Sequence, residues 1–467
     1  MRAPQARHSD APPAADAVPL TALRACFEGE IPSLLASCSL DGTPNVTYVS
    51  QVHYVDGEHV ALSFQFFNKT RENVLEHPYV TALVVDPRTG RRWRLRLRYL
   101  RTEESGPLFE SMRARLAGIA SHTGMAGVFR LRGSDVYRVL AIEAVPGPSA
   151  PPPEAGCSPL TLLRPLASRI AAHTDLATLL DDTLAALEAE LGITHSMLLL
   201  LDAGRQRAAR LFMVASRGYD TSGLGSEIPL GNGVIGVAAA QRTPIRISHF
   251  TAEYTYGRAI REEIRASGLA EQLESEIPLP GLPAPRSQLA VPIVVTDQVV
   301  GVLYAESAED RRFSYEHEDL LVALAAQLGA SIALLRLAAE SHDPAPVEPE
   351  LVSRPLGGVP VRLRHYAVND SVFIDDEYLI KGVAGAILWK LAREFSAGRR
   401  TEFTNRELRL DPSLHLPDIS DNLEARLILL ARRLQERSLQ LRIVKTGRGR
   451  FRFETDAPLQ LEEAAPA

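Results

Sequence analysis

The segment "FFNKTRENVLEHPYVTALVVDP" (residues 66–87) places Lys69 and Thr70 in a polar turn between an apolar strand and a short helix. The helix should end at Pro78, because a proline disfavours helical backbone in the residue before it. Backbone N–H groups at the start of a helix are unpaired and attract anions such as phosphate. The residues alone leave a second interpretation open, in which Thr70 caps the helix and Lys69 is a solvated cation.

The preceding residues predict an antiparallel β-meander. "IPSLLASCSLDGTPNVTYVSQVHYVDGEHVALSF" (residues 31–64) reads as three strands separated by turns at Asp41-Gly42 and Asp56-Gly57. Alternating apolar residues interrupted by Asp-Gly pairs are typical of hairpins.

Length and proline content divide the chain. At roughly 100 to 200 residues per domain, 467 residues should form about three domains. Two proline-rich stretches without apolar periodicity are interpreted as linkers, and the first residues as a disordered tail. The predicted organisation is a tail (1–19), a first block (20–145), a linker (146–159), a middle block (160–340), a second linker (341–360) and a third block (361–457).

Composition and charge narrow the class of protein. Apolar residues make up 45% of the chain, enough for a core in each block. No uninterrupted apolar run approaches the ~18 residues that a membrane span needs, so we expect a cytoplasmic protein without a membrane partner. The three cysteines, Cys26, Cys38 and Cys157, form no CxxC pair and are interpreted as idle reduced thiols.

The first block resembles the pyridoxamine 5′-phosphate oxidase-like family of flavin-binding split β-barrels. The resemblance rests on the order "IPSLLAS", "DGTPNVTYV", "VALSF" and "NKTRENVLEHPYVTALVV". It implies bound FMN, with one group of residues beside the flavin ring, a second group nearby and a third at the phosphate. These groups are Asn45, Val46, Thr47 and Tyr48; Ser63 and Phe64; and Asn68, Lys69 and Thr70. The lysine that often binds phosphate in the family aligns with Thr70, and the substrate-binding C-terminal segment of the true oxidase has no counterpart here.

The middle block is similar to a GAF domain, a small-molecule sensing fold. Its predicted elements are an amphipathic helix over residues 160–192, five strands and a closing helix. Gly231, Gly233 and Gly236 spell GxGxxG, but no acidic residue follows where a dinucleotide-binding fold would need one, so a tight GAF turn is the favoured interpretation. His195, His249 and His317 are unclustered and predict no metal site. The GAF ligand is not identified by the sequence.

The third block has two strand segments, then three predicted helices (382–398, 404–410 and 419–438) and the hairpin "LRIVKTGRGRFRFE" (441–454). This order resembles the winged-helix DNA-binding domain of response regulators. Residues 361–456 contain 18 Lys or Arg and 14 Asp or Glu, a net of +4, which leaves −10 for the rest of a chain at −6. In that family the third helix enters the major groove and the hairpin contacts the backbone, which implies DNA contacts from Arg426, Arg432, Arg433, Arg437, Lys445, Arg448, Arg450 and Arg452. The alternative is that the helical arginines form the solvated face of an amphipathic helix.

The expected fold class is therefore multidomain α+β, with a split β-barrel, a GAF α/β sensor domain and a C-terminal winged helix. Three functions remain open: a one-component regulator that senses small molecules or redox state and binds DNA, an FMN-dependent oxidoreductase with a regulatory GAF domain, and a cofactor-free signalling scaffold. A homodimer is expected, because split barrels of this family pair to complete the flavin site.

Overall fold

A computed structural model describes residues 18–65, 69–122, 131–151, 158–202, 209–248, 277–341, 357–414, 416, 422–438 and 440–464. Among the residues named above, Asn68, Cys157 and His249 lie outside this part of the chain, as does nearly all of the tail predicted over residues 1–19.

The first block folds around a seven-stranded antiparallel sheet with strand order β2-β1-β5-β6-β7-β4-β3. A 3-10 helix, Leu20–Phe27, precedes the sheet and buries Leu23 and Phe27 against it. The elements are β1 Ser33–Cys38, β2 Pro44–Val49, β3 Val52–Tyr54, β4 His59–Phe64, α1 Lys69–Glu76, β5 Tyr79–Val85, β6 Arg92–Glu103, α2 Pro107–His122 and β7 Gly133–Val145. The predicted helix before Pro78 is confirmed.

The predicted meander is wrong in its middle strand. The predicted second strand is interrupted at Ser50 and Gln51, and its two parts, β2 and β3, lie at opposite edges of the sheet. Gln51 is 1% exposed, and the Gln65 amide donates to the Ser50 hydroxyl at 3.0 Å. This interruption lets the sheet curl, because two strands that are consecutive in sequence lie at its two edges.

The middle block contains a six-stranded sheet in which every pairing is antiparallel, with order β10-β9-β8-β13-β12-β11. Its elements are α3 Leu163–Ala171, α4 Leu176–Leu191, β8 His195–Asp202, β9 Arg210–Arg217, β10 Glu227–Pro229, α5 Gly233–Gln241, β11 Ile245–Ile247, β12 Ser287–Val295, β13 Gln298–Ser307 and α6 Tyr315–Ser341. The single helix predicted over 160–192 is instead two helices. Asp175 begins the second one by accepting a hydrogen bond from the Thr178 backbone N–H at 3.1 Å.

The GxGxxG segment forms a tight turn between β10 and α5. A Cβ atom on Gly236 would lie 2.4 Å from the Pro229 carbonyl oxygen, so only glycine fits this approach. Within the described residues, β10 and β11 on either side of this turn and helix pair only antiparallel with their neighbours, so they form no βαβ unit there. The predicted tight turn at these glycines is therefore confirmed.

Helix α6 is a membrane-length apolar segment that the search for uninterrupted apolar runs did not find. Residues 315–339 are long and apolar enough to span a membrane by length and composition, although 44% of an 18-residue apolar stretch within them is buried inside the protein. Leu320, Leu324 and Leu328 are at most 1% exposed and belong to the core of the middle block. A core helix of a soluble domain has the same composition.

The third block has two small sheets around three helices. Its elements are β14 Val361–Tyr366, β15 Ser371–Ile374, β16 Glu377–Ile380, α7 Gly382–Gly398, β17 Glu402–Thr404, α8 Asn405–Leu410, α9 Leu423–Arg437, β18 Leu441–Gly447, β19 Arg450–Thr455 and β20 Leu459–Ala464. Strand orders are β16-β15-β14-β20 and β17-β19-β18. Thr404 and Glu407 form a capping box at the start of α8.

Two boundaries in this block differ from the sequence prediction. Asp375 and Asp376 have φ of 48° and 76°, so the segment 371–380 is a hairpin of two strands rather than one strand. Strand β20 pairs parallel to β14, which extends the block beyond residue 457.

Candidate functional sites

The predicted flavin-ring residues on β2 lie on two faces of an edge strand. Val46 and Tyr48 point outward and are 63% and 75% exposed. Asn45 and Thr47 point to the opposite face, because side chains alternate along a strand. Asn45 donates its amide to the Thr70 hydroxyl at 2.7 Å, so these two predicted residues are brought together.

The outer face of this sheet carries an arginine strip that the sequence reading missed. Cross-strand neighbours point to the same side, so they form two rows on this face. The rows are Tyr48, Leu34, Leu83 and Arg94, and Val46, Ala36, Thr81 and Arg96. The alternation in "RRWRLRLR" (residues 91–98) was the available signal. The result is a half-exposed apolar surface bordered by cations.

The start of α1 presents one exposed cation. The Lys69 ammonium lies 3.4 Å from the Glu72 carboxylate, and both side chains are more than half exposed. Thr70 is 7% exposed. The N-terminal turn of α1 thus combines Lys69 with helix N–H groups, which is a donor set suited to an anion.

Arg71 is a neighbouring cation that sequence reasoning missed. Its guanidinium pairs with Asp135, donates to the Thr102 hydroxyl at 2.8 Å and lies 4.5 Å from the centroid of the Phe64 ring. Burial raises the pKa of Asp135. The predicted residue Phe64 therefore packs under a guanidinium, while Ser63 accepts from the Gln65 amide at 3.3 Å.

The middle block encloses a buried carboxylate on the side of its sheet that faces α5. Glu306 is 3% exposed and accepts hydrogen bonds from the Leu282 backbone N–H at 2.8 Å and the Tyr304 hydroxyl at 2.9 Å. Burial and the nearby Glu306 charge raise the pKa of Tyr219. The Gln288 Oε1 atom is buried without a partner in the part of the chain that the structure describes. This polar group inside an apolar sheet is a candidate for ligand recognition.

The first and middle blocks meet at a buried ionic cluster, here called the barrel joint: Glu28, Arg115, Arg246, Tyr315 and Glu318. Arg246 is 1% exposed and donates to both Glu28 and Glu318 at 2.7 Å. The Tyr315 hydroxyl accepts from Arg115 at 2.6 Å, and the Arg246 guanidinium lies 4.3 Å from the Tyr315 ring centroid. Although burial of the Glu28 carboxyl raises its pKa, Arg246 and Arg115 lower it more, so the pKa lies below its ordinary value.

Three of the four arginines predicted to contact DNA from α9 face inward in this conformation. Arg433 is 3% exposed and donates to the Leu379 carbonyl from two nitrogens, each at 3.0 Å. Arg426 is also 3% exposed and pairs with Asp202 of the middle block at 2.5 Å. Arg432 pairs with Asp181 of the same block at 2.8 Å. Arg433 thus supports its own block, whereas Arg426 and Arg432 join two blocks.

The remaining predicted cations are nearer to solvent. Arg437 lies 3.5 Å from Glu377, Lys445 pairs with Asp175, and Arg452 pairs with Glu402. The side chains of Arg448 and Arg450 are exposed at the tip of the β18–β19 hairpin, with no ion-pair or hydrogen-bond partner among the described residues.

Comparison with known families identifies two of the three blocks. Residues 20–144 match the family described as pyridoxamine 5′-phosphate oxidase, and residues 173–333 match the GAF domain family. The chain therefore contains a pyridoxamine phosphate oxidase-like domain followed by a GAF domain, which indicates a sensing or regulatory protein. The predictions for these two blocks are confirmed at this level.

Solved structures resemble the same two regions. One is the GAF domain of an Acinetobacter phosphoenolpyruvate-protein phosphotransferase, with 23% identity, 39% of this chain and 97% of that chain covered, and a TM-score of 0.30. Another is the free methionine-R-sulfoxide reductase of Neisseria meningitidis, with 22% identity and a TM-score of 0.28. The match covers 38% of this chain and 89% of that one. An FMN-binding protein from Syntrophomonas wolfei has 15% identity and a TM-score of 0.24. The match covers 27% of this chain and 86% of that one. The comparison with curated proteins found no match.

Proposed function

We propose that this protein is a cytoplasmic one-component regulator, in which the barrel and GAF domains sense small molecules or redox state and the third block binds DNA as a winged helix. The observation that carries the proposal is the order of helices α7, α8 and α9 followed by the β18–β19 hairpin, with two exposed, unpaired arginines among the described residues at its tip. Arg448 and Arg450 can meet phosphates without breaking any ion pair within the described part of the chain. Such contacts position a protein on DNA but carry no base information.

The test is the salt dependence of DNA binding by the full chain. Each phosphate neutralised contributes about 0.9 to the slope of log affinity against log salt. Arg448→Ala with Arg450→Ala should weaken binding to all duplexes similarly and flatten the slope by roughly two. The control is Arg242→Ala with Arg286→Ala, which removes the same charge from GAF arginines that pair with Asp297 and Asp310.

A wild-type chain that binds neither its own promoter region nor random duplex at low salt would reject DNA binding. The signalling-scaffold function would then take its place. Equal slopes for the tip variant and the control would show that the hairpin is not the phosphate contact.

We propose in addition that the barrel binds FMN. Lys69 and the first N–H groups of α1 fit a phosphate, and the exposed Val46 and Tyr48 side chains fit one face of a flat aromatic ring. When bound, the flavin would supply redox chemistry, while these residues would bind and orient it. Thr70 contributes indirectly, since its hydroxyl is already held by Asn45.

The flavin proposal is tested by the visible absorption spectrum of the purified protein and by titration with FMN. Lys69→Ala should lower flavin occupancy, because it removes the exposed cation at α1. Glu72→Gln is the matched control: it removes the carboxylate nearest to Lys69 and should leave occupancy equal or higher. A colourless protein that takes up no added FMN contradicts the proposal.

We also propose a homodimer that forms through the same surface. Val46 and Tyr48 leave an apolar patch on an edge strand, and a second copy would cover both the patch and a ring bound there. Tyr48→Glu should give a monomer in light scattering at micromolar concentration, whereas Leu410→Glu, at a 71% exposed position of the third block, should not. A monomeric wild type would refute the dimer.

A further inference from the structure

The third block lies against the GAF domain through α9, the third helix of the proposed winged helix. Arg426 and Arg432, on α9, reach Asp202 at the end of β8 and Asp181 on α4. Both arginines thus have their charge neutralised by carboxylates of another domain. A carboxylate and a DNA phosphate offer a guanidinium the same type of acceptor.

The GAF domain provides backbone acceptors at the same place. The β8–β9 pairing shifts register between Leu198 and Leu199, and Val214 is the extra residue of the resulting bulge. A bulged residue is left out of the ladder, so its carbonyl can accept another donor. Arg432 donates to this Val214 carbonyl and also to the Ala177 carbonyl, the latter at 3.2 Å.

Neighbouring contacts extend the interface in both directions from these arginines. Asn422, just before α9, donates its amide to the Leu201 carbonyl. Lys445, on β18, pairs with Asp175 at the start of α4. Leu429 is 5% exposed and faces Gly225, where an added Cβ atom would lie 3.7 Å from the leucine side chain. The interface therefore involves both α9 and the hairpin.

The acceptor side of the interface is open to water. The side chains of Asp175, Asp181 and Asp202 are 32%, 68% and 34% exposed. Among the described residues, Arg426 Nη1 is buried with no partner. An unsatisfied buried donor costs about 1–3 kcal/mol, so this contact is less complete than an obligate core contact.

We propose that this part of the GAF domain, the docking surface formed by Asp175, Asp181 and Asp202 with the Leu201 and Val214 carbonyls, competes with DNA for α9 and holds the protein in a closed, inhibited state. The proposal rests on the proposed DNA-binding function of the third block. In the closed state Arg426, Arg432 and Lys445 are occupied, while Arg448 and Arg450 remain exposed. The closed protein can then make only the hairpin contacts to phosphate.

Release of α9 has a measurable consequence. The apparent affinity of a protein falls in proportion to the fraction in its binding-competent state. Weakening the docking surface should raise that fraction and tighten binding of the full chain to duplex DNA by about tenfold, within the range usual for coupled sites. The three released cations should also steepen the salt slope by up to about 2.7.

The experiment compares full-length wild type with Asp181→Ala/Asp202→Ala, by fluorescence anisotropy of a labelled random duplex over a range of salt. The control is Glu188→Ala/Asp310→Ala, which removes the same charge and two ion pairs within the GAF domain, to Arg217 and Arg286. Only the docking variant should show the tenfold gain, and hydrogen exchange along α9 should rise in it alone. If the double variant fails to fold, Asp181→Ala alone, at the most exposed of the three acids, should give about threefold.

The outcomes separate the two proposals. Measurable DNA binding that is equal in the docking variant, the control and the wild type overturns the inhibition and leaves DNA binding intact. No binding by any of the three at low salt overturns the proposed DNA-binding function, and this inference with it. A gain confined to the docking variant supports both.

Discussion

The GAF domain has two neighbours in this chain, and its charged contacts to them differ in burial. At the barrel joint, Glu28 and Glu318 are 16% and 24% exposed around an arginine that is 1% exposed. At the docking surface, the acids that meet α9 and the β18–β19 hairpin are 32% to 68% exposed. Breaking a buried pair strands a charge away from water, whereas breaking an exposed pair exchanges it for hydration. We therefore expect the barrel joint to be permanent and the docking surface to be reversible.

Aromatic packing strengthens the same contrast. Tyr315 belongs to the apolar cluster of the barrel, although it begins a GAF helix. The guanidinium groups of Arg24, Arg115 and Arg246 lie 4.3 to 5.0 Å from its ring centroid. Cation–π contacts gain most when they are desolvated, so this ring adds to the stability of the barrel joint.

The largest effect is expected from Arg246→Met. Removing this cation leaves the buried Glu28 with only Arg115, at 3.4 Å, and takes away the arginine partner of Glu318, which should lower the free energy of unfolding by about 3–5 kcal/mol. Urea unfolding followed by circular dichroism measures the loss. Arg286→Met, whose side chain is 59% exposed in its pair with Asp310, is the control and should change little. A loss below about 1 kcal/mol for Arg246→Met, the size typical of an exposed pair, would remove the distinction between the two interfaces.

An intermediate effect is expected from acid. The pKa of Glu28 in the folded protein lies below its ordinary value of 4.5, because Arg246 and Arg115 outweigh the burial that raises it. A depressed pKa contributes stability above the unfolded pKa and loses it as pH falls through the folded pKa. Glu28→Gln should therefore be less stable than wild type at pH 7, and the difference should narrow as pH falls from about 5 to 3.

Thermal unfolding across that pH range provides the measurement. Glu30→Gln is the control, since Glu30 pairs with Arg311, whose side chain is 53% exposed. A Glu28→Gln difference that stays constant from pH 7 to pH 3 would mean that the Glu28 charge does not stabilise the barrel joint.

The elements within each domain were largely readable from the sequence, because they depend on local periodicity and turns. Helix α1 before Pro78 and the glycine turn at Gly236 are examples. The opposite placement of β2 and β3 was missed, because Ser50 and Gln51 carry no glycine or proline signal and their partner Gln65 is remote.

The flavin residues illustrate a second limit. Asn45 was predicted beside the flavin ring and Thr70 at the phosphate, and the two are hydrogen-bonded. The local sequence did not reveal that Arg71 contacts Phe64. Arg71 is committed to Asp135, 64 residues away in the chain.

The arginines of α9 illustrate the third limit. Helical spacing could not distinguish a DNA-reading face from a solvated face. The structure shows a third arrangement, in which the arginines contact acceptors of the protein itself. Arg426 and Arg433 are buried against partners 224 and 54 residues away. The Arg433 contact depends on the tertiary packing of the third block and the Arg426 contact on the docking of two domains, and neither is encoded in helical spacing.

The smallest effect is expected from Asp181→Asn, on the docking surface. Its side chain is 68% exposed, so the loss in unfolding free energy should be below about 1 kcal/mol. The Debye length shortens from about 10 Å at 0.1 M salt to 3 Å at 1 M, so even this difference should vanish at high salt, while the Arg246→Met loss persists because that site is buried. Urea midpoints for wild type and both variants at 0.1 M and 1 M sodium chloride measure this. A salt-insensitive Asp181→Asn loss as large as that of Arg246→Met would mean that the docking surface is as permanent as the barrel joint, and closure of α9 on the GAF domain could not then be reversible.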